Sequence, residues 1–209
     1  MTRVGAIILC GGQSKRMGRP KAWLPFAGQT MLAHVIVILR EVVNPIVVVA
    51  APDQEIPPTP SDIQVVRDEE RGRGPLQGLA AGLAALEGRA DAAYVSSCDV
   101  PFLRPAFVWR LIELLGDHAI CVPHVGDHHH PLAAVYRVGV KEAVNRLLAE
   151  KRMRPFFLFE MVPTRVVEAN EVIDVDPSFE SLRNLNTPEE YEVAAREFIQ
   201  RIPPPPGRE

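Results

Sequence analysis

Residues 4–21 read VGAIILCGGQSKRMGRPK: an apolar run from Val4 to Cys10 that empties directly into glycines (Gly11, Gly12, Gly18) and four basic residues (Lys15, Arg16, Arg19, Lys21). A short apolar run without polar alternation predicts a strand buried on both faces, as in a parallel sheet covered by helices. Glycines at its exit permit unusual φ angles and close backbone approach, so amides can face a polyanion. Nearby cations can then reach charge that develops during reaction. Two familiar phosphate loops are absent here: Gly18 is followed by Arg19-Pro20, not Lys-Ser/Thr, and no G-x-G-x-x-G occurs. A Walker nucleotidase and a hydride-transferring dinucleotide enzyme both lose ground. Taken alone, the stretch also fits a solvated basic loop.

Similar runs at Ile46–Ala51, Ile63–Val66, Ala92–Cys98 and Ala119–Val122 predict further buried strands. Between them Leu32, Val35, Ile36, Leu39, Val42 and Val43 recur at helical spacing behind Thr30, a predicted N-cap. Pro75 and Pro105 each open a helical stretch at the first-turn position that proline tolerates. Strands alternating with helices predict an α/β fold: three layers, α/β/α, with a mostly parallel, Rossmann-like sheet. Beyond Pro123 the pattern loosens into a smaller mixed part. Leu132–Arg137 and Thr164–Glu168 are expected strands, Val140 to Leu148 marks a helix expected to stop near Arg154-Pro155, and Thr187-Pro188-Glu189-Glu190 starts a terminal helix. Residues 1–202 are read as one domain and 203–209 as a flexible proline-rich tail.

Composition narrows the function classes. With 209 residues, 47% hydrophobic and 23% charged, the chain can bury a substantial core. A net charge of -3 gives no general basic field, which disfavours nucleic acid and membrane surfaces as partners. No apolar run reaches the roughly 20 residues that cross a bilayer, and no signal-like hydrophobic region follows Met1, so a cytoplasmic location is expected. Cys10, Cys98 and Cys121 are far apart and form no C-x-x-C pair, the pattern of reduced, buried thiols.

In open α/β sheets ligands gather at the carboxyl ends of strands, where loops and helix N-termini converge. Asp99 stands at such an end, within SSCDVP. A carboxylate there fits magnesium bridging to a nucleoside triphosphate, or a turn preceding Pro101. Asp68, just past the third strand, either caps the following turn or contacts a ribose or base. Asp127-His128-His129-His130 invites a zinc reading, but adjacent residues point in different directions; a polar hairpin loop with His130 facing the cleft fits better. Arg71-Gly72-Arg73-Gly74 reads as a solvated loop or as a flap closing on phosphate.

LCGGQSKRMGRPK resembles the signature of the molybdenum cofactor guanylyltransferases, within the wider nucleotidyltransferases that share L-x-[AG]-G-x-[SG]-x-R-M-G-x-x-K. The likeness continues in Gly74-Pro75-Leu76-Gln77-Gly78, Cys98-Asp99-Val100-Pro101, His130-Pro131-Leu132 and Asn184-Leu185-Asn186-Thr187-Pro188, five motifs in order. It implies the nucleotide-diphospho-sugar transferase fold and a transfer of GMP from GTP to the terminal phosphate of molybdenum-molybdopterin, with magnesium as cofactor. It further implies that Leu9, Cys10, Gly11 and Gly12 contact the nucleotide, that Arg16 and Lys21 hold the triphosphate, and that Asp68 helps bind the nucleoside. Asp99 ligates the metal on this reading, with Arg16, Lys21 and Asp99 forming the catalytic set. Gly74, Gly78, Arg154, Asn184 and Asn186 lie around the second substrate, and Lys15 and Arg19 are solvated neighbours. Transient contacts with molybdoenzymes or cofactor-delivery proteins are also implied.

The chain departs from the family in having Cys10 where alanine is usual and Ala50 where an asparagine often assists nucleotide binding. A cytidylyltransferase of molybdopterin or of a sugar or polyol phosphate, and a nucleotide carrier without turnover, are the rival readings. Gly11 opens room for a purine and favours GTP.

Overall fold

A computed structural model describes residues 2–11, 17–68 and 74–201. Gly12, Lys15, Arg16, the 71–73 part of the expected flap and the 203–209 tail therefore lie outside the described residues. The elements run β1 (Val4–Leu9), β2 (Pro25–Phe26), β3 (Gln29–Thr30), α1 (Met31–Arg40), β4 (Ile46–Ala50), β5 (Gln64–Arg67), α2 (Pro75–Leu86), β6 (Ala92–Ser97) and α3 (Pro105–Leu114). They continue with β7 (Ile120–Val125), β8 (His128–His129), β9 (Ala133–Arg137), α4 (Lys141–Ala149), α5 (Phe156–Met161), β10 (Thr164–Glu168) and α6 (Pro188–Arg201).

The main sheet has the order β10-β7-β9-β6-β1-β4-β5, with β8 paired to β7. β1 lies centrally and parallel to both neighbours: Ile7 is opposite Val47 on one side and Val95 on the other. β9 is the antiparallel member between β6 and β7, while β10 is parallel to β7. Side chains along β1 alternate in direction, as a strand requires. Ala6, Ile8 and Cys10 pack with Leu32, Ile36 and Leu39 of α1 and Phe107 of α3; Ile7 and Leu9 pack with Leu79 and Leu83 of α2 and Leu147 of α4. Each such fully buried aliphatic side chain stabilises the fold by about 1.5–3 kcal/mol. The α2 helix lies so near β1 that a Cβ at Gly82 would come 2.5 Å from Ile7 Cγ2.

From β1 the chain steps outward to β4 and β5, then crosses back to β6 on the other side of β1. The loops after β1 and β6 therefore diverge from one point, the crevice where open α/β sheets bind ligands. After β10 the chain returns to that point. The fully buried Asp176 carboxylate ties down this return by accepting from the backbone N–H groups of Glu180 (3.1 Å) and Ser181 (2.8 Å). Leu185 N–H then donates to the Asp99 carbonyl at 3.0 Å. The final helix, α6, closes over the β2–β3 hairpin through Phe26, Leu24, Phe102 and Ala194.

Four expectations need correction. β5 is an edge strand with exposed Gln64, Val65 and Arg67, not a buried one, because nothing pairs with its outer side among the described residues. α1 ends at Arg40, and Val42 and Val43 sit in the turn beyond it, Val43 still buried. α4 stops at Ala149, before Arg154-Pro155: Lys151 adopts φ 57°, which a continuing right-handed helix excludes. Pro155 instead precedes a further helix, α5, which periodicity does not separate from the strand that follows. Terminal helix capping is as predicted, with Glu190 N–H donating to Thr187 Oγ1 at 3.2 Å and the Glu190 carboxylate accepting from the Asn186 and Thr187 N–H groups.

Candidate active site

Lys21 and Asp99 meet at the switch point. Pro20, with φ -62° and ψ 124°, is extended and leads into a single 3-10 turn at Lys21–Trp23, whose buried Ala22 anchors it to the core. The Lys21 ammonium thereby points back at the end of β6, where Nζ donates to Asp99 Oδ2 at 2.5 Å and to Asn186 Oδ1 at 2.9 Å. Asn184 Nδ2 donates to Asp99 Oδ1 at 2.8 Å and to Ser97 Oγ at 2.7 Å. Asp99 is only 4% exposed, so its charge depends on these donors for compensation. Residues separated by up to 165 positions in sequence form one hydrogen-bonded cluster.

The loop behind Asp99 is held by His34, whose Nε2 donates to the Pro101 carbonyl at 2.9 Å while Nδ1 accepts from Gln29 Nε2. Burial lowers the pKa of this imidazole, which keeps it in the neutral tautomer that both bonds require.

On the β4–β5 side of β1 a second feature forms around Asp68. A Cβ at Gly11 would lie 3.5 Å from Asp68 Oδ2, and one at Gly78 would lie 3.4 Å from Oδ1 and 3.1 Å from Leu9 Cδ2. Asp68 thus faces a cleft floor shaped by missing side chains. Burial pushes its carboxyl up to about 6, and Oδ1 is buried with no hydrogen-bond partner among the described residues. An acceptor held in such a place suits a ligand donor. Gly74 caps α2 with φ 74° and ψ -175°, a conformation essentially confined to glycine.

The Cys10 carbonyl is also engaged. Gln54, on the loop after β4, donates Nε2–H to it at 2.9 Å and accepts from the Ala51 N–H at 3.1 Å. Sequence reading misses Gln54 because nothing in APDQEIPP singles out one polar loop residue; only the adjacency of the β1 and β4 exits does. It ties the turn at Cys10-Gly11 from the same β4 exit at which Ala50 replaces the expected asparagine. The Cys10 thiol is hydrogen-bonded to Cys98 and buried, and both effects push its pKa well above the ordinary value, leaving it protonated. All three cysteines are free and buried.

Of the predicted site residues, Lys21, Asp99, Asn184 and Asn186 converge on one point, while Leu9, Gly11, Asp68 and Gly78 converge on another. Arg154 is exposed on the segment joining α4 to α5 and touches neither set by hydrogen bond. The segment abuts Gly74, where a Cβ would meet the Met153 carbonyl at 3.7 Å. His128 and His129 form a short hairpin strand on β7, and His130 is half-buried. Among the described residues, no group of three or more His, Cys, Asp or Glu could hold a metal ion unaided, and no helix is long and apolar enough to cross a membrane.

Residues 6–164 match the family model described as a MobA-like NTP transferase domain. The probable molybdenum cofactor guanylyltransferase of Mycobacterium avium is 38% identical over 152 residues, covering 70% of this chain and 76% of that protein. Molybdopterin-guanine dinucleotide biosynthesis protein A from Archaeoglobus fulgidus superposes with a TM-score of 0.76 at 19% identity, over 94% of this chain and 99% of the other. The 2-C-methyl-D-erythritol 4-phosphate cytidylyltransferase of Thermus thermophilus does so with a TM-score of 0.67 at 17% identity, over 94% and 98%. These two structures share the three-layer fold; at such identities the likeness extends no further.

Proposed function

Since the chain belongs to the MobA-like family of NTP transferases, we propose that it transfers GMP from GTP to the terminal phosphate of molybdenum-molybdopterin, releasing pyrophosphate. The observation that carries this reading is the Lys21–Asp99–Asn186 cluster, part-buried around the buried Asp99 at the exit of β6. In the reaction a phosphate oxygen of the acceptor forms a bond to the α-phosphorus of GTP, and the bond to the bridging oxygen of the leaving pyrophosphate breaks. The acceptor oxygen is already anionic near neutral pH, so no general base is needed. What such a transfer needs is in-line positioning and neutralisation of negative charge.

The chain's residues fit those tasks. Lys21, preoriented by Asp99 and Asn186, offers its ammonium to the triphosphate, and Arg16 from the β1 loop adds a second cation. Asp99 Oδ2 and Asn186 Oδ1 already converge on one cation, the Lys21 ammonium, at 2.5 and 2.9 Å. This pair of hard oxygens suits magnesium, which takes one or two carboxylates plus phosphate oxygens and neutralises their charge. Asp99 and Asn186 would hold it once the Lys21 ammonium turns from them to the triphosphate, with Asn184 orienting the carboxylate. The turn Leu9-Cys10-Gly11 and Asp68 would receive the base and nucleoside. Gly11 leaves room for a purine, and the raised carboxyl of Asp68 is placed to accept from an N–H or O–H donor. On this reading Gly12, Gly74, Gly78, Asn184, Asn186 and Arg154 would supply the remaining contacts to the nucleotide and acceptor.

Pyrophosphate release measured with GTP, CTP, ATP and UTP in the presence of molybdopterin and magnesium tests the assignment. Release with GTP alone is expected. A preference for CTP would reassign the base, and tight GTP binding without release would make the protein a carrier.

A further inference from the structure

The nucleotide side of the rim is accounted for by Leu9, Gly11 and Asp68, which leaves the other side of Asp99 to the acceptor. β8 pairs with β7 by setting His129 opposite His124, and β10 occupies the other flank of β7, where Glu168 is opposite His124. β8 therefore continues the column of β9, next to the column of β6 that ends before Asp99. The registers set His124 level with Ser97, so His129 stands one column over from the end of β6, at the same rim and two residues short of Asp99. Counting by twos from Ile120 and Val122, His124 points to the face covered by α2 and α4, and α5 lies on that face.

There α5 delivers aromatic rings. His129 and His124 have ring centroids 4.8 Å apart, and His129 lies 5.6 Å from Phe159 and 5.9 Å from Phe156. Phe156 is 49% exposed although it sits at the start of a helix whose Leu158 is fully buried. His124 is occupied by Glu168 at 3.2 Å, whereas the ring nitrogens of His129 have no hydrogen-bond partner among the described residues. Two residues before α5 comes exposed Arg154, a cation also without a partner among the described residues, and before it Met153, whose carbonyl abuts Gly74 at the head of α2. One wall thus runs from the Asp68 pocket, past Gly74 and Arg154, to the rings.

We infer that His129, Phe156 and Phe159 form the seat for a planar heterocycle on the acceptor substrate, with Arg154 placed for its anionic group. The inference rests on the proposed transfer reaction for the identity of that acceptor, and on geometry for its place. The exposed Phe156 ring and the half-buried rings of Phe159 and His129 offer π-faces and edges to a flat heteroaromatic, and the free imidazole nitrogens of His129 offer hydrogen bonds to its polar edge. Continuity with the Asp99 cluster and the cation beside the rings favour a planar anionic ligand over an apolar protein surface.

The test uses Phe156→Ala, His129→Ala and the conservative Phe156→Tyr in the full chain. Loss of one stacking partner is expected to raise the KM for molybdopterin about tenfold in the two alanine variants. The KM for GTP and the turnover at saturation stay within about twofold of the parent, and Phe156→Tyr restores acceptor affinity. Pterin-6-carboxylate, followed by its own fluorescence, gives a second reading: it binds the parent and binds Phe156→Ala about tenfold more weakly. If no nucleotide is transferred by the parent, the proposed reaction fails while the pterin titration still judges the rings. Unchanged acceptor KM and unchanged pterin binding in both alanine variants would overturn the inference and leave the rings as a cover for the core.

Discussion

Lys21 Nζ and Asp99 Oδ2, 78 residues apart in the chain, stand 2.5 Å apart at the switch point of the sheet, with side chains 18% and 6% exposed. The pair is mutually dependent. Without Lys21 the buried Asp99 carboxylate keeps only Asn184 as a side-chain donor among the described residues, and breaking a buried pair from one side costs about 3–5 kcal/mol. The Lys21→Ala variant is therefore expected to melt earlier and to lose about 10²–10³ in GMP transfer, the scale of one preorganised charge contact. Adding Asp99→Asn to it removes the stranded charge, so melting recovers while transfer does not. Recovery of transfer along with melting would show that Lys21 serves only folding.

Asp68 carries the clearest pH signature. Its folded carboxyl titrates at about 6, raised from 3.8 by burial, so the folded state binds this proton more tightly than the unfolded state. Stability from this group is full below the unfolded value and declines as pH rises through the folded one. Asp68→Asn, which carries no charge, is expected to melt above the parent at pH 8, with the difference fading as pH falls from about 6 to about 4. Differential scanning at pH 4, 6 and 8 measures it; a constant difference across that range would refute the burial effect.

Gln54 predicts a change in affinity more than in chemistry. Its amide spans the Ala51 N–H and the Cys10 carbonyl, fixing the turn on which the base is proposed to lie. Replacing it with alanine removes one clamp, worth about 0.5–1.5 kcal/mol, so the KM for GTP rises about 2- to 10-fold. Turnover at saturating GTP stays near the parent value, because the Lys21 cluster is untouched. Steady-state kinetics decide between this split and a uniform loss.

Gly82 tests the layer packing away from the site. Its Cβ would enter the Ile7 side chain, so Gly82→Ala forces α2 from β1 and destabilises by about 1–3 kcal/mol. Chemical denaturation is expected to show the loss with an unchanged m-value. Equal stability would mean that Ile7 repacks without cost.

The sheet is legible in the sequence because its signal is local. Val4–Leu9 and Ile46–Ala50 are continuous apolar runs, and Pro75 and Pro105 sit at helix starts where the sequence places them. Elements whose state depends on a neighbour are less legible. β5 looks like a buried strand and is an edge, since exposure is set by what lies beside it. α5 is hidden because six residues are too few to display a helical period, and the left-handed Lys151 that follows α4 carries no signal in a lysine.

The candidate site divides in the same way. Residue types at strand ends are enough to point to Asp68 and Asp99, because a charge at the end of an apolar strand needs a partner to justify it, and the basic glycine-rich loop after β1 points to Lys21. Local patterns along the chain are enough for the layered α/β architecture, the loops that carry the chemistry, and the presence there of cations, carboxylates and glycines. It takes the folded packing to bring Asn184 and Asn186 back across the sheet to Lys21 and Asp99, Gln54 to the Cys10 carbonyl, and His129 to Phe156 and Phe159. Local periodicity and propensity act over a few residues, whereas these contacts are made by packing between elements that the chain itself keeps far apart.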